Sequence, residues 1–172
     1  MARRGERESM ALSTRFDRPL VVAGGVMGFG LGGLLDVLLF HFVLQEHHLI
    51  SGLVDPTTRA GLRLNLVADG LFCLAMLVVM GAGFVLLWRT APRSDVPWSA
   101  SRFVAATVLG TGAFNLYDGV VDHYVLGLHH TTFPALDAYD LVWVAGSLVL
   151  LLAGAAALRA ERSERTGSTR GL

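Results

Sequence analysis

The stretch Leu20–His48, LVVAGGVMGFGLGGLLDVLLFHFVLQEHH, decides the fold. From Leu20 to Leu35 it holds no ionisable side chain, and then Asp36, His41, His47 and His48 arrive in quick succession. At about 1.5 Å per residue, some twenty apolar residues cover the roughly 30 Å of a bilayer's hydrocarbon. The stretch therefore reads as a membrane-spanning helix that becomes polar as it leaves the bilayer.

The same pattern returns later in the chain. Asp36, His41, Leu44, His47 and His48 are matched by Asp118, His123, Leu126, His129 and His130, each pair separated by 82 positions. The two copies account for all six histidines of the chain. Two further apolar runs complete the set, so spans are predicted near Leu20–Leu44, Leu64–Trp88, Phe103–Leu126 and Tyr139–Leu158. With 53% hydrophobic and 16% charged residues, 172 in all, the chain is too apolar for an ordinary soluble domain. No strand-like alternation competes, and a barrel needs more spans. The expectation is an all-α integral membrane four-helix bundle built from two parallel helix-hairpin repeats, related by a pseudo-two-fold axis along the membrane normal.

Five segments follow: a polar tail at 1–18, a first hairpin at 19–88, a linker at 89–101 carrying Pro92 and Pro97, a second hairpin at 102–158, and a polar tail at 159–172. The first tail is expected to be disordered or to lie on the membrane surface. All fourteen basic residues are arginine: nine lie in the tails, and Arg89, Arg93 and Arg102 lie between spans two and three. Only Arg59 and Arg63 fall between spans one and two. Positive-inside bias then places both termini in the cytoplasm and both His-His pairs on the opposite side. The first apolar run is too long and too glycine-rich for a signal peptide and lacks a small-x-small cleavage site, so it is expected to be retained.

Histidine and aspartate suit borderline and hard cations, and a carboxylate at the bilayer centre costs about 2.5–3.5 kcal/mol on insertion scales. Asp36, Asp118, Asp122, Asp69 and Asp140 therefore need partners. On a regular helix of roughly 100° per residue, Asp36, His41, His47 and His48 share an arc of about 140°, with Asp36 and His41 at its two extremes. The candidate metal ligands are His41, His47, His48, His123, His129, His130, Asp36, Asp118 and Asp122. Asp122 has Phe40 as its counterpart in the first half. Asp69, Asp140, Asn115 and Gln45 are candidates to orient them, with Tyr117 and Glu46 nearby. Asp69 and Asp140 open the second spans, at unequal distances of 21 and 10 residues from their His-His pairs.

Nitrogen and oxygen donors without a thiolate cluster suit Zn, Fe, Mn or Cu as a divalent ion. Met27, Met76 and Met80 are scattered and make no thioether site. A haem between His41 and His123 fits less well, because acidic neighbours crowd the pair. Cys73 reads as a buried small residue, since one cysteine forms no disulfide within the chain. Trp88, Trp98 and Trp143 read as anchors or packing residues. Gly28, Gly30 and Gly33 match Gly-x-Gly-x-x-Gly formally, but no strand precedes them. They read, with Gly24 and Gly32, as a helix-packing stripe. Neither tail resembles a nucleic-acid module, since acidic residues interrupt both and stacking aromatics are nearly absent.

The glycine-rich first span ending in Asp36-x4-His41-x2-Leu44-Gln45-x-His47-His48, with the later Asn115-x2-Asp118-Gly119-x2-Asp122-His123-x5-His129-His130, resembles a family of bacterial predicted membrane proteins, domain of unknown function 2243. The likeness runs from about Gly24 to Leu152. It implies a bacterial inner membrane location and association with a respiratory metalloenzyme or its assembly factors. The histidine boxes of membrane desaturases also end in His-His, but they have shorter spacing and a third box, absent here. Metal handling at the outer face is the favoured function. The alternatives are a membrane metalloenzyme using a metal-bound water for hydrolytic or oxygen chemistry, with Asp36, Asp118 or Asp122 as general base, and an Asp/His proton relay. The chain's homo-oligomeric state is not legible in its sequence.

Overall fold

The computed structural model describes the backbone of residues 2–129 and 138–168, and the side chains of residues 18–129 and 141–163. Its regular elements are all helical. Helix α1 (Ala2–Asp36) runs on as a π-helical segment, Val37–Val43; α2 spans Arg59–Thr90; α3 (Ala100–Tyr117) runs on as a second π-helical segment, Asp118–Val125; α4 spans Ala138–Ser168. Four stretches are long and apolar enough to cross a membrane: Arg18–Val43, Arg59–Thr90, Ala100–Val125 and Leu141–Ser163. Each agrees with the sequence expectation to within a few residues.

The polar ends differ from that expectation. Residues 2–18 are the first turns of α1 rather than a separate tail, and α4 continues to Ser168. Arginine, glutamate and alanine are frequent at these ends, and all three are good helix formers. Adding residues to a helix already formed is far easier than starting one.

Helices α1 and α3 make the centre. Helix α2 packs on α1, α4 packs on α3, and no backbone contact joins α2 to α4 among the described residues. The outward sides of α2 and α4 are apolar and uncovered: Leu71, Leu74 and Val78 on one, Val142, Val149 and Leu152 on the other. In water such a surface would drive association; in lipid it matches its solvent.

Between apolar helices in lipid, close backbone approach supplies the packing energy, and glycine makes it possible. A Cβ on Gly28 would collide with the Thr107 carbonyl oxygen, and one on Gly110 with the Gly25 carbonyl oxygen. These contacts are reciprocal, because 28 and 110, and 25 and 107, are both 82 apart. The flanking seams also correspond. Gly30 abuts the Met76 carbonyl and Met80 amide on α2, while Gly112 abuts the Ser147 carbonyl and Leu151 amide on α4. Gly83 meets the Met27 amide, and Gly154 meets the Leu109 amide. Positions in α2 thus match positions in α4 at an offset of 71, which is also the offset from Asp69 to Asp140. The stretch from the His-His pair to the aspartate is eleven residues shorter in the second half, 10 residues against 21. Met27, Met76 and Met80 are seam residues, as are the glycines of the Gly-x-Gly-x-x-Gly match.

Candidate metal centre

Both central helices change winding where they turn polar. Leu44 N–H donates to the Leu39 carbonyl at 2.8 Å, and Leu126 N–H to the Val121 carbonyl at 2.8 Å. These are five-residue steps in place of the usual four. Each segment then closes with a six-residue step, Glu46 to Phe40 and Leu128 to Asp122, both 2.9 Å. The chain leaves through a left-handed residue, Gln45 at φ 54° and Gly127 at φ 58°. Every one of these features recurs 82 residues on.

The π turn alters the face on which the side chains meet. On a regular helix, Asp36 and His41 would stand about 140° apart. A π turn takes more residues, so positions five apart come closer to alignment, and such turns frequently mark functional sites. Asp36 Oδ2 lies 3.9 Å from His41 Nε2, and Asp118 Oδ2 lies 3.4 Å from His123 Nε2. The regular-helix reading of the arc is corrected accordingly.

Asp69, fully buried on α2, orients the first half of the cluster. Its Oδ1 accepts from His41 Nδ1 at 2.7 Å and from Leu49 N–H at 2.9 Å, and its Oδ2 accepts from His48 Nδ1 at 2.7 Å. Three donors satisfy a carboxylate that could not be buried alone. The loop that brings Leu49 into place is held by Asn65, whose amide donates to the Val54 and Gly61 carbonyls, both at 3.0 Å. Ser51 Oγ donates to the His48 carbonyl at 2.8 Å. Thr58 caps α2 by accepting from Gly61 N–H at 3.0 Å. The same loop crosses to the other half, where Gly52 N–H donates to the Leu128 carbonyl at 2.8 Å and His129 Nδ1 donates to the Leu49 carbonyl at 3.2 Å.

Four imidazoles meet between α1 and α3. Ring centres of His41 and His47 are 4.6 Å apart, and those of His123 and His129 are 4.3 Å apart. Across the halves, His41–His129 is 5.7 Å and His47–His123 is 5.8 Å. His47 and His129 stack at 4.6 Å and 8°.

The hydrogen bonds assign tautomers. A carbonyl oxygen only accepts, so His129 carries its hydrogen on Nδ1 and, when neutral, has its lone pair on Nε2. His41 donates from Nδ1 to Asp69 and likewise keeps a lone pair on Nε2. The buried Nε2 atoms of His41 and His129 and both ring nitrogens of His47 have no hydrogen-bond partner. His129 Nε2 instead faces Asp118 Oδ1 at 3.4 Å, lone pair toward carboxylate. Only a proton or a cation between them makes that arrangement favourable. Burial, together with the neighbouring His129, His41 and His123, holds the His47 imidazole far below its ordinary pKa and therefore neutral. Four carboxylates, Asp36, Asp69, Asp118 and Asp122, are buried around these rings.

Two sets of three side chains bring ligand atoms within 4.8 Å of one another: His41, His47 and His129; and Asp118, His123 and His129. Of the other residues expected here, Asp36 borders the first set, and His48 is turned onto Asp69. Asp122 is buried beside the second set, and Asn115 is half-buried one turn before Asp118. His130 and the side chain of Asp140 lie outside the described residues. Gln45 is exposed and serves as the left-handed exit from the π segment rather than as a group at the site. Trp143 packs edge-on against Phe40 at 4.9 Å, a packing role. Sequence reasoning missed Asn65 and the Leu49 backbone. An asparagine in an otherwise apolar helix was a signal for the first; a backbone group leaves none.

A family model described as "Predicted membrane protein (DUF2243)" matches residues 23–161. No curated protein and no solved structure matches the chain.

Proposed function

We propose, from the premise that the chain belongs to the DUF2243 family of predicted membrane proteins, that it binds a divalent transition metal in a pseudo-symmetric His/Asp site. The single observation that carries this reading is the pair of buried Nε2 lone pairs on His41 and His129. Each tautomer is set by donation from Nδ1, and neither Nε2 has a hydrogen-bond partner. A ligating histidine usually donates its other N–H to a carboxylate or a backbone carbonyl, and here Asp69 and Leu49 are those acceptors. A divalent cation also offsets the charge of the surrounding carboxylates.

In this reading the chain is a duplicated helix hairpin, supported by the reciprocal glycine contacts and the offsets of 82 and 71. The arginine bias places both termini in the cytoplasm of a bacterium and the histidine end at the outer face of its inner membrane. The function is metal handling there, in support of a respiratory metalloenzyme or its assembly. A proton relay is disfavoured by the opposite halves of the central spans. Between Arg18 and Asp36, and between Arg102 and Tyr117, neither span carries an ionisable side chain.

The test is elemental analysis of the detergent-purified protein beside a His41→Ala/His123→Ala variant that retains its helical circular dichroism. Near-stoichiometric metal in the wild type and its loss in the variant supports the reading. A wild type that is metal-free as purified and takes up no added Zn²⁺, Cu²⁺ or Fe²⁺ overturns it.

A further inference from the structure

The two candidate ligand sets, His41/His47/His129 and Asp118/His123/His129, have His129 in common. Its Nδ1 hydrogen is committed to the Leu49 carbonyl at 3.2 Å, so Nε2 is the one atom it offers. A nitrogen with a single lone pair binds one ion. Bridging two ions through the ring would require both nitrogens and the loss of the Leu49 hydrogen bond. The two sets therefore cannot be filled together.

We infer that the cluster is a single-ion site with two alternative seats, one of three imidazoles (His41, His47, His129) and one mixed (Asp118, His123, His129), and that His129 stays bound while the ion passes between them. This deepens the metal-binding reading and rests on it.

The spacing of the mixed seat supports the assignment. Asp118 Oδ1 is 3.4 Å from His129 Nε2, and Asp118 Oδ2 is 3.4 Å from His123 Nε2. A charge-assisted N–H···O bond measures about 2.7–2.9 Å. Two ligand atoms at about 2.0–2.1 Å from one tetrahedral ion stand roughly 3.3–3.4 Å apart. Each histidine of the mixed seat stands at the second spacing from its own Asp118 oxygen, and one oxygen and both nitrogens lie within 4.8 Å of one another. In the imidazole seat, ring centres lie 4.6, 4.6 and 5.7 Å apart, where imidazoles around one tetrahedral ion would stand roughly 5 Å apart; the rings of His47 and His129 are stacked within 8° of parallel, so one of them turns about its side-chain bonds when this seat fills.

The seats differ in chemistry. Three neutral imidazoles leave a divalent ion its full charge and suit Zn²⁺ or Cu²⁺, whereas a carboxylate removes one charge and better suits a harder ion such as Mn²⁺. Each seat has three protein ligands, so a fourth position is open to water or to an incoming ligand. The open position lets an ion change seats without first leaving the protein. Asp69 keeps the His41 ring aimed at the first seat through its 2.7 Å hydrogen bond.

The experiment is a Co²⁺ titration of the full chain in detergent, followed by metal content and by visible absorption, which reports the ligand set. The wild type should take up one Co²⁺ per chain. Asp118→Asn and His41→Gln, both conservative in shape, should each still take up one Co²⁺ with affinity reduced about 10–100-fold. Their spectra should differ, each variant keeping the other's lost seat. His129→Gln should reduce affinity more than either. Two Co²⁺ per wild-type chain would overturn the inference in favour of a two-metal centre. Abolition of binding by either Asp118→Asn or His41→Gln would overturn it in favour of one composite site. A wild type that takes up no Co²⁺ overturns the metal reading beneath it. Should a variant fail to fold, the wild-type ratio of one or two still decides between a single-ion and a two-ion centre.

Discussion

His47 and His129 lie face to face, their ring centres 4.6 Å apart and their planes within 8° of parallel, each contributed by a different half of the chain. Two imidazolium rings would repel in that arrangement, so the stack requires neutral imidazole. His47 accordingly stays unprotonated well below the ordinary histidine range.

That neutrality makes stability depend on pH. The folded chain binds fewer protons than the unfolded chain wherever a free histidine, with pKa about 6.5, would be charged. The His47 contribution is complete above about pH 6.5 and is lost progressively as pH falls below it. Thermal unfolding of the metal-free protein in detergent should show a flat Tm above about pH 7 and a declining Tm toward pH 5. A Tm that rose on acidification would contradict the stack as described.

Asp69 sets the tautomer of His41. Asp69→Asn keeps the shape but replaces one oxygen with an NH₂ group, which cannot accept from a histidine Nδ1–H. The affected ring is driven to the other tautomer, and its Nε2 loses the lone pair. We expect a folded variant whose metal affinity is about 10–100-fold weaker. Asp69→Leu removes all three acceptor contacts and should cost several kcal/mol. Calorimetric titration with Zn²⁺, alongside melting curves, separates the two effects.

The reciprocal crossing of α1 and α3 predicts equal damage from Gly28→Leu and Gly110→Leu, each at least about 1–3 kcal/mol through overpacking. Gly70 has open space where a Cβ would go. Gly70→Ala should be neutral or stabilise by up to about 1 kcal/mol. Unequal losses from the first two variants would show that the crossing lacks its apparent two-fold character.

Gln45 and Gly127 share a left-handed backbone, but only glycine adopts it without cost. Gln45→Gly should raise stability by about 1 kcal/mol, and Gly127→Gln should lower it by about 1–2 kcal/mol. Melting temperatures of the two single variants check both signs.

Much of the molecule was legible in its sequence. Four apolar runs of bilayer length dictated four helices, because a hydrocarbon solvent leaves backbone polar groups no partner but each other. The histidine and aspartate positions and their offset of 82 pointed to the ends of α1 and α3 as the place where polar side chains converge. Three features needed the tertiary structure. The π winding that lines up Asp36 with His41 arises from a hydrogen-bond choice, and regular helical periodicity misassigned it. Asp69 and Asp140 were paired from the sequence, but the glycine seams that share their offset of 71 were not, because they depend on contacts between helices. The roles within the cluster depended on contacts between residues far apart in the chain: Asp69 turning His48 aside while aiming His41, and the Leu49 carbonyl committing His129 Nδ1. Residue type tells which atoms can bind a cation; only packing determines which of those atoms keep a lone pair for it.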